Sequence, residues 1–147
     1  MRREYSEAPI VGVGAIIFND ENQILLIQRG QEPLKGEWSL PGGALELGET
    51  LEQGIRREVL EETGLEVEPV QIAEVFDRIV HDEAGLVRFH YVLVDYLCRV
   101  TGGTLCCASD AAAGRWASRE ELNAHSIYRV APFTVAVIEK AFSLRIR

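Results

Sequence analysis

The octapeptide REVLEETG, residues 57 to 64, sets three carboxylates at helical spacings. Glu58, Glu61 and Glu62 stand at i, i+3 and i+4 and therefore share one face. Like charges at those spacings cost roughly 0.2–0.5 kcal/mol per pair. Gly64 is suited to end the helix, which puts Glu61 and Glu62 in the last turn. There the helix dipole disfavours an anion by about 0.3–1 kcal/mol. The arrangement calls for positive charge from elsewhere. Carboxylates beside a glycine-rich turn, here GGALELG at 42 to 48, are what a hard divalent cation such as Mg²⁺ or Mn²⁺ binds. Such an ion takes oxygen ligands and backbone carbonyls and keeps open positions for water and a substrate's phosphate. The competing reading is a solvated acidic face, which is what an isolated ExxEE ordinarily means.

The helix that carries these residues opens with a capping box, Thr50-x-x-Gln53, and stops at Gly64. Leu51, Ile55 and Val59 span an arc of about 80°, and the three glutamates occupy an adjoining arc of about 100°. One edge can pack on a sheet while the next faces a cleft. Gly54, one turn before Glu58 on the same side, leaves room there. Residues 30 to 48 hold five glycines and two prolines and predict a long loop, with Trp38, Leu40 and Leu45 to anchor it. VGVGAIIF (11–18) and QILLIQR (23–29) predict a hairpin across NDEN. Gly12 and Gly14 lack the third glycine of a dinucleotide fingerprint and no helix follows, so they read as strand glycines that permit close packing. Residues 67–80 and 86–100 bracket HDEAG as a second, longer hairpin. GRWA (114–117) reads as a short strand, Ser118-x-x-Glu121 caps a short helix, and residues 131–147 form a C-terminal helix with Pro132 in its first turn. Hairpins among alternating strands and helices predict an α/β fold with a mixed sheet covered by helices.

With 147 residues, 47% of them hydrophobic, one globular domain over 1–147 is expected. Cys98, Cys106 and Cys107 are an odd set without CxxC spacing, which suggests neither a disulfide framework nor a zinc site. No signal-peptide core and no apolar run near the roughly 18 residues of a membrane span is present, so a soluble, cytoplasmic protein is expected. A net charge of −8 argues against a nucleic-acid or lipid-headgroup surface. An anionic ligand would have to be met by local arginines or by bound cations.

Reading outward from the helix gives Gly43, five residues, Glu49, seven residues, then Arg57-Glu58-Val59-x-Glu61-Glu62-x-Gly64-Leu65. This resembles the Nudix box, and every defined position of that 23-residue signature is filled. GEWSLPGG before the box, and RW followed by a short acidic helix after it, are similar to the same family. The resemblance implies a Nudix-type α/β/α sandwich with a mixed β-sheet. It also implies Mg²⁺-dependent hydrolysis, with Mn²⁺ as the alternative ion, of a pyrophosphate bond in a nucleoside diphosphate linked to another moiety X. Carried over residue by residue, it makes Glu61 and Glu62 the principal metal ligands and Glu58 a ligand or the group that orients the attacking water. The carbonyl of Gly42 or Gly43 would add a backbone ligand, and Arg57 and Glu49 would brace the loop against the helix. The implied catalytic set is Glu58, Arg57 and Glu61. Cations bridging pyrophosphate oxygens would neutralise phosphate charge and activate a bound water in line with phosphorus.

Many relatives take a further carboxylate from the loop before RW. CCASDAAAGRW has alanines there, so Asp110 is the one acid available as metal ligand or base, against a capping or solvent role, and Glu58 is the other candidate base. Arg29, Arg78 and Arg88 are candidates to meet phosphate, against ordinary surface roles. Tyr91, Phe89 and Phe76 could stack on a base or belong to the core, Trp38 and Trp116 are assigned to packing, and the three histidines show no ligand spacing. RFHYVLVDYL with downstream SDAA is similar to small ADP-ribose hydrolases, which favours an ADP-ribose-like substrate. The alternatives are a (d)NTP pyrophosphohydrolase that sanitises damaged nucleotides and a non-catalytic nucleotide-sensing domain. The expected partner is a small-molecule nucleotide, and relatives commonly form homodimers.

Overall fold

The computed structural model describes residues 3–30, 36–106, 111–123 and 128–145. The elements, in chain order, are β1 (Ile10–Phe18), β2 (Ile24–Arg29), β3 (Trp38–Ser39), β4 (Gly42–Ala44), α1 (Leu51–Thr63), β5 (Leu65–His81), β6 (Val87–Gly103), β7 (Ala111–Ala117), α2 (Arg119–Asn123) and α3 (Pro132–Arg145). The strands form one mixed sheet in the order β3-β2-β1-β6-β5, with β4 added on β1 and β7 on β2. β1 runs parallel to β6 from Ile10 opposite Tyr91 to Phe18 opposite Arg99. A strand in this central, parallel position is covered on both faces, which is why VGVGAIIF is nearly all apolar or glycine rather than alternating.

The first predicted hairpin forms only at its turn, where Phe18 opposite Ile24 is the one registered pair of β1 with β2. Beyond it the strands part. β2 pairs with β3 and β7, and the freed edge of β1 takes β4, with Gly12, Val13 and Gly14 opposite Ala44, Gly43 and Gly42. The segment expected as a long loop therefore carries two short strands. The physical reason is that diverging strands leave backbone donors and acceptors that need partners, and the glycine-rich segment supplies them. The second hairpin is as the sequence reads, β5 and β6 pairing from His81 opposite Val87 back to Leu65 opposite Gly103.

Alternation along β1 divides the core. Val13, Ala15 and Ile17 face α1, packing with Ile55, Val59, Leu25 and Cys98. Ile16 and Phe18 face α3, packing with Leu97, Val137, Ile138 and Phe142. Helices thus cover both faces of the sheet, the α/β/α arrangement. Ile55 and Val59, both fully buried, contribute about 1.5–3 kcal/mol each to fixing α1 on the sheet. Phe142 meets Phe18 edge-on at 5.2 Å between centroids on the opposite side.

Both capping boxes form. The Gln53 N–H donates to Thr50 Oγ1 (3.1 Å) and the Thr50 N–H to the Gln53 side chain (2.8 Å). Gly64 ends α1 in the left-handed region at φ 76°, donating to the Leu60 carbonyl at 3.0 Å. At α2 the Glu121 N–H donates to Ser118 Oγ and the Ser118 N–H to the Glu121 carboxylate. Cys98 and Cys106 are free thiols, and burial pushes the pKa of Cys98 up to about 12. No described helix is long and apolar enough to cross a membrane.

Candidate active site

The counter-charge that REVLEETG lacks within its own acidic face comes in part from its first residue. Arg57 grips Glu49 at both oxygens, Nε to Oε2 at 2.6 Å and Nη2 to Oε1 at 2.9 Å. Nη2 also donates to the Ala44 carbonyl (3.1 Å), while Nη1 donates to Glu58 Oε1 (2.9 Å) and reaches Glu61 Oε2 at 3.4 Å and Glu46 at 3.6 Å. The planar guanidinium fork makes this possible, since its donors are fixed in directions that match a carboxylate and a carbonyl together. The hydrogen bonds from Arg57, helped by the Glu46 N–H, pull the Glu49 pKa down to about 2. Glu49 in turn leads the contacts that raise the pKa of Arg57. One cation therefore faces Glu46, Glu49, Glu58 and Glu61, and the cluster keeps a net negative charge.

The remaining carboxylates are tied to β4. Glu62 Oε1 accepts the Gly42 N–H at 2.7 Å. The Glu58 carboxylate lies against Gly43, where an added Cβ would stand 2.5 Å from Oε1, so a side chain there would have to displace the carboxylate. The room expected at Gly54 is already filled: a Cβ there would stand 2.7 Å from Leu45 Cδ1 and 3.3 Å from Glu49 Oε1. Gly54 serves close packing of the loop on the helix and does not open the cleft.

The Glu61 side chain is open to solvent, 53% exposed against 15% for Glu58. The donor chemistry fits a hard divalent cation: carboxylate oxygens and nearby backbone carbonyls, with no histidine or cysteine grouped with them among the described residues. As the side chains stand, no three acidic, histidine or cysteine groups among the described residues converge on one point: the Arg57 guanidinium bridges Glu58 and Glu61, and Glu62 is turned to the Gly42 N–H. Asp110 lies outside the described residues.

On the far side of β4 is a cavity of about 270 Å³. Its walls come from Gly12 and Gly14 of β1, from β4 itself, from Phe76 and Arg78 of β5, from Tyr91, Leu93 and Asp95 of β6, and from Phe133 and Thr134 of α3. A neighbouring cavity of about 430 Å³ shares Arg78 and Phe133 and adds Arg29, Glu37 and Trp38. Arg78 stacks over the Phe133 ring at 4.4 Å. The structure thus brings Arg29 and Arg78 to the cleft. Arg88 pairs with Glu4 at 2.9 Å, lies over Phe89, and lines neither cavity. Among the aromatic candidates, Tyr91 and Phe76 line the smaller cavity, whereas Phe89 stacks on Tyr91. Trp38 packs edge-on against Tyr128 at 5.0 Å and also lines the larger cavity.

Sequence reasoning passed over Asp95. It is 7% exposed, faces the smaller cavity, and stands opposite Gly14 in the parallel β1–β6 register. A Cβ on Gly14 would overlap its Oδ1. Burial, and after it the charge of Glu74, pushes its pKa up to about 6. The signal available in the sequence was a lone acid inside an otherwise apolar strand, VLVDYL.

Comparison with known proteins accords with this geometry. The family model described as NUDIX domain matches residues 8–138. The chain is 40% identical over 103 residues to an ADP-ribose pyrophosphatase of Methanocaldococcus jannaschii, covering 70% of this chain and 58% of that protein. It is 38% identical over 97 residues to an 8-oxo-dGDP phosphatase of Mus musculus, covering 66% of this chain and 27% of that one. Less than two thirds of either relative's length is therefore spanned. Among solved structures, a NUDIX hydrolase from Nitrosomonas europaea superposes with a TM-score of 0.77 at 25% identity, covering 92% of this chain and 90% of that one. An intact box on α1, an α/β/α sandwich around it and a family match over nearly the whole sequence agree: this chain belongs to the Nudix family.

Proposed function

We propose that the chain hydrolyses a pyrophosphate bond in a nucleoside diphosphate linked to a second moiety, giving a nucleoside monophosphate and the phosphorylated second moiety. The observation that carries this reading is the position of β4, which has a ring-lined cavity on one side and Glu58 and Glu62 on the other. A nucleoside seated in the cavity would bring its phosphates over Gly42–Ala44 to the acidic face. Glu58, Glu61 and Glu62 would hold Mg²⁺, or Mn²⁺, with a backbone carbonyl of Gly42 or Gly43 and with Asp110. The ion's contribution is to neutralise phosphate charge and lower the pKa of a bound water.

The protein's own groups do the positioning. Arg57 fixes Glu58 through one donor and fixes Glu49 and the Ala44 carbonyl through the others, so helix and glycine loop are held as one piece. Glu58, held between Arg57 and Gly43, would accept the proton of the attacking water as the new P–O bond forms and the bridging P–O bond breaks. Arg29 and Arg78 meet the phosphates and the second moiety from the larger cavity. Retention of every box carboxylate favours catalysis over a nucleotide-sensing role.

The Methanocaldococcus relative supports an ADP-ribose-like substrate. The mouse relative supports an oxidised nucleoside diphosphate as the second reading. The test is turnover of a panel containing ADP-ribose, 8-oxo-dGDP and oxidised dNTPs at equal concentration, with Mg²⁺ and with chelator. Metal-dependent release of monophosphate from at least one of them is expected; no turnover of any nucleotide with either ion would sink the proposal.

A further inference from the structure

We propose that Asp95 determines specificity by accepting a hydrogen bond from an exocyclic amine of the substrate's nucleobase. The inference rests on the reading of the smaller cavity as the nucleoside end of the cleft. Asp95 is more than nine-tenths buried, yet no described residue gives its carboxylate a hydrogen bond or an ion pair. No sealed side-chain oxygen among the described residues lacks a partner, so the Asp95 oxygens open into the cavity they line and are not shut in the core. An unpaired carboxylate in apolar surroundings opposes folding, and its neighbours Val94 and Leu97 offer it nothing. Of the other charges nearby, Glu74, opposite on β5, is held by Lys140 of α3 at 3.2 Å, Arg78 lies over Phe133, and Arg3, which also lines the cavity, gives Asp95 no hydrogen bond or ion pair. β1 has meanwhile given up a side chain at Gly14, where a Cβ would collide with the carboxylate. These features suit an acceptor held ready for a donor that no described residue supplies.

The chemistry of the cavity selects the donor. An ionised carboxylate accepts only. Substrate phosphates are acceptors too and are repelled, which keeps them toward the cationic arginines. Phe76, Tyr91 and Phe133 give the cavity aromatic walls, and about 270 Å³ is just below the usual 300–1,000 Å³ of ligand pockets, room for one ring system. A nucleobase amine is a donor without acceptor character. A keto oxygen in its place would set lone pairs against an anion. Burial raises the Asp95 pKa only to about 6, so the accepting form prevails at neutral pH.

The experiment compares two substrate pairs: ADP-ribose against its hypoxanthine counterpart, which exchanges the 6-amine and N1 acceptor for a keto oxygen and an N1–H, and dGDP against dIDP, which differ only by the 2-amine. For each, kcat and KM are measured with Mg²⁺ and Kd by calorimetry with chelator, on wild type, Asp95→Asn and Gly14→Ala. The wild type should prefer the amine-bearing member of at least one pair by about 10- to 100-fold, mostly in KM and Kd. Asp95→Asn, of the same shape but with an amide donor, should bring that ratio below about 3-fold while melting no earlier than wild type. Gly14→Ala, which displaces the carboxylate without removing it, should do the same to the ratio. A wild type that does not discriminate, or an Asp95→Asn variant that keeps the ratio, overturns the assignment. Absence of turnover with the Kd ratios intact would instead overturn the hydrolase reading and leave Asp95 supported.

Discussion

Two acidic regions lie on either side of β4, and they handle negative charge in opposite ways. On the α1 side, four glutamates surround one guanidinium, and the most strongly held of them, Glu49, is driven to a pKa of about 2. On the α3 side, Asp95 stands alone behind Gly14, and burial drives its pKa up to about 6. The first region is acidic, open and braced; the second is a mostly apolar cavity whose carboxylate has no partner among the described residues. Glycine serves both, since Gly43 admits Glu58 as Gly14 admits Asp95. The difference teaches that a carboxylate's role follows from its partners: shared donors hold it in place, whereas an absent partner leaves it to a ligand.

The contrast can be broken most severely at the braced side. A Cβ on Gly43 must displace the Glu58 carboxylate, so Gly43→Ala should lower kcat about 100-fold with little change in melting temperature, as steady-state kinetics and calorimetry would show. Unchanged kcat would remove Glu58 from the chemistry. Arg57→Lys keeps the charge but loses the fork, and a drop of about 10-fold in kcat is expected, with KM affected less.

Stability against pH separates the regions by sign. Asp95 has a folded pKa of about 6, above its ordinary 3.8, so its contribution is present at low pH and is lost as pH rises from about 4 through 6. Asp95→Asn should therefore be more stable than wild type at neutral pH, by on the order of 2–3 kcal/mol, and the gap should close below pH about 4. Glu49 behaves in reverse: its folded pKa is depressed, so its contribution is present above the usual carboxylate range and lost as pH falls toward 2. Denaturant titrations at a series of pH values would show the two slopes, and an Arg57→Ala variant should lack the acid one. The smallest effect expected is from Thr50→Ala, which removes the α1 cap and should cost about 1 kcal/mol in the same titrations, with the selectivity at Asp95 untouched.

Local chemistry decided what could be read from the sequence. The α1 boundaries were legible because Thr50, Gln53 and Gly64 act on their own backbone neighbours, and the acidic face was legible because helical spacing alone assembles it. The hairpin of β5 with β6 followed from two long apolar runs about one turn. The strands β3 and β4 were not legible, since two and three residues of Trp-Ser and Gly-Gly-Ala carry no periodicity, and their pairing depends on β1 and β2 diverging. Asp95 escaped for a related reason. Its meaning lies in the parallel register that sets it opposite Gly14, some eighty residues earlier in the sequence. Arg29, Arg78 and Arg88 looked alike in sequence, and only the fold brings the first two to the cleft and pairs the third with Glu4.

The most direct measurement is the rate at which the wild type and a Glu62→Gln variant convert ADP-ribose to AMP and ribose 5-phosphate in saturating Mg²⁺. Glu62 joins the acidic face to β4 through the Gly42 N–H, and its amide counterpart keeps the shape while losing the charge. Metal-dependent turnover that falls at least about 100-fold in the variant, with the melting temperature held, is the expected result. Turnover that persists in Glu62→Gln, or in wild type stripped of divalent ions, would contradict it.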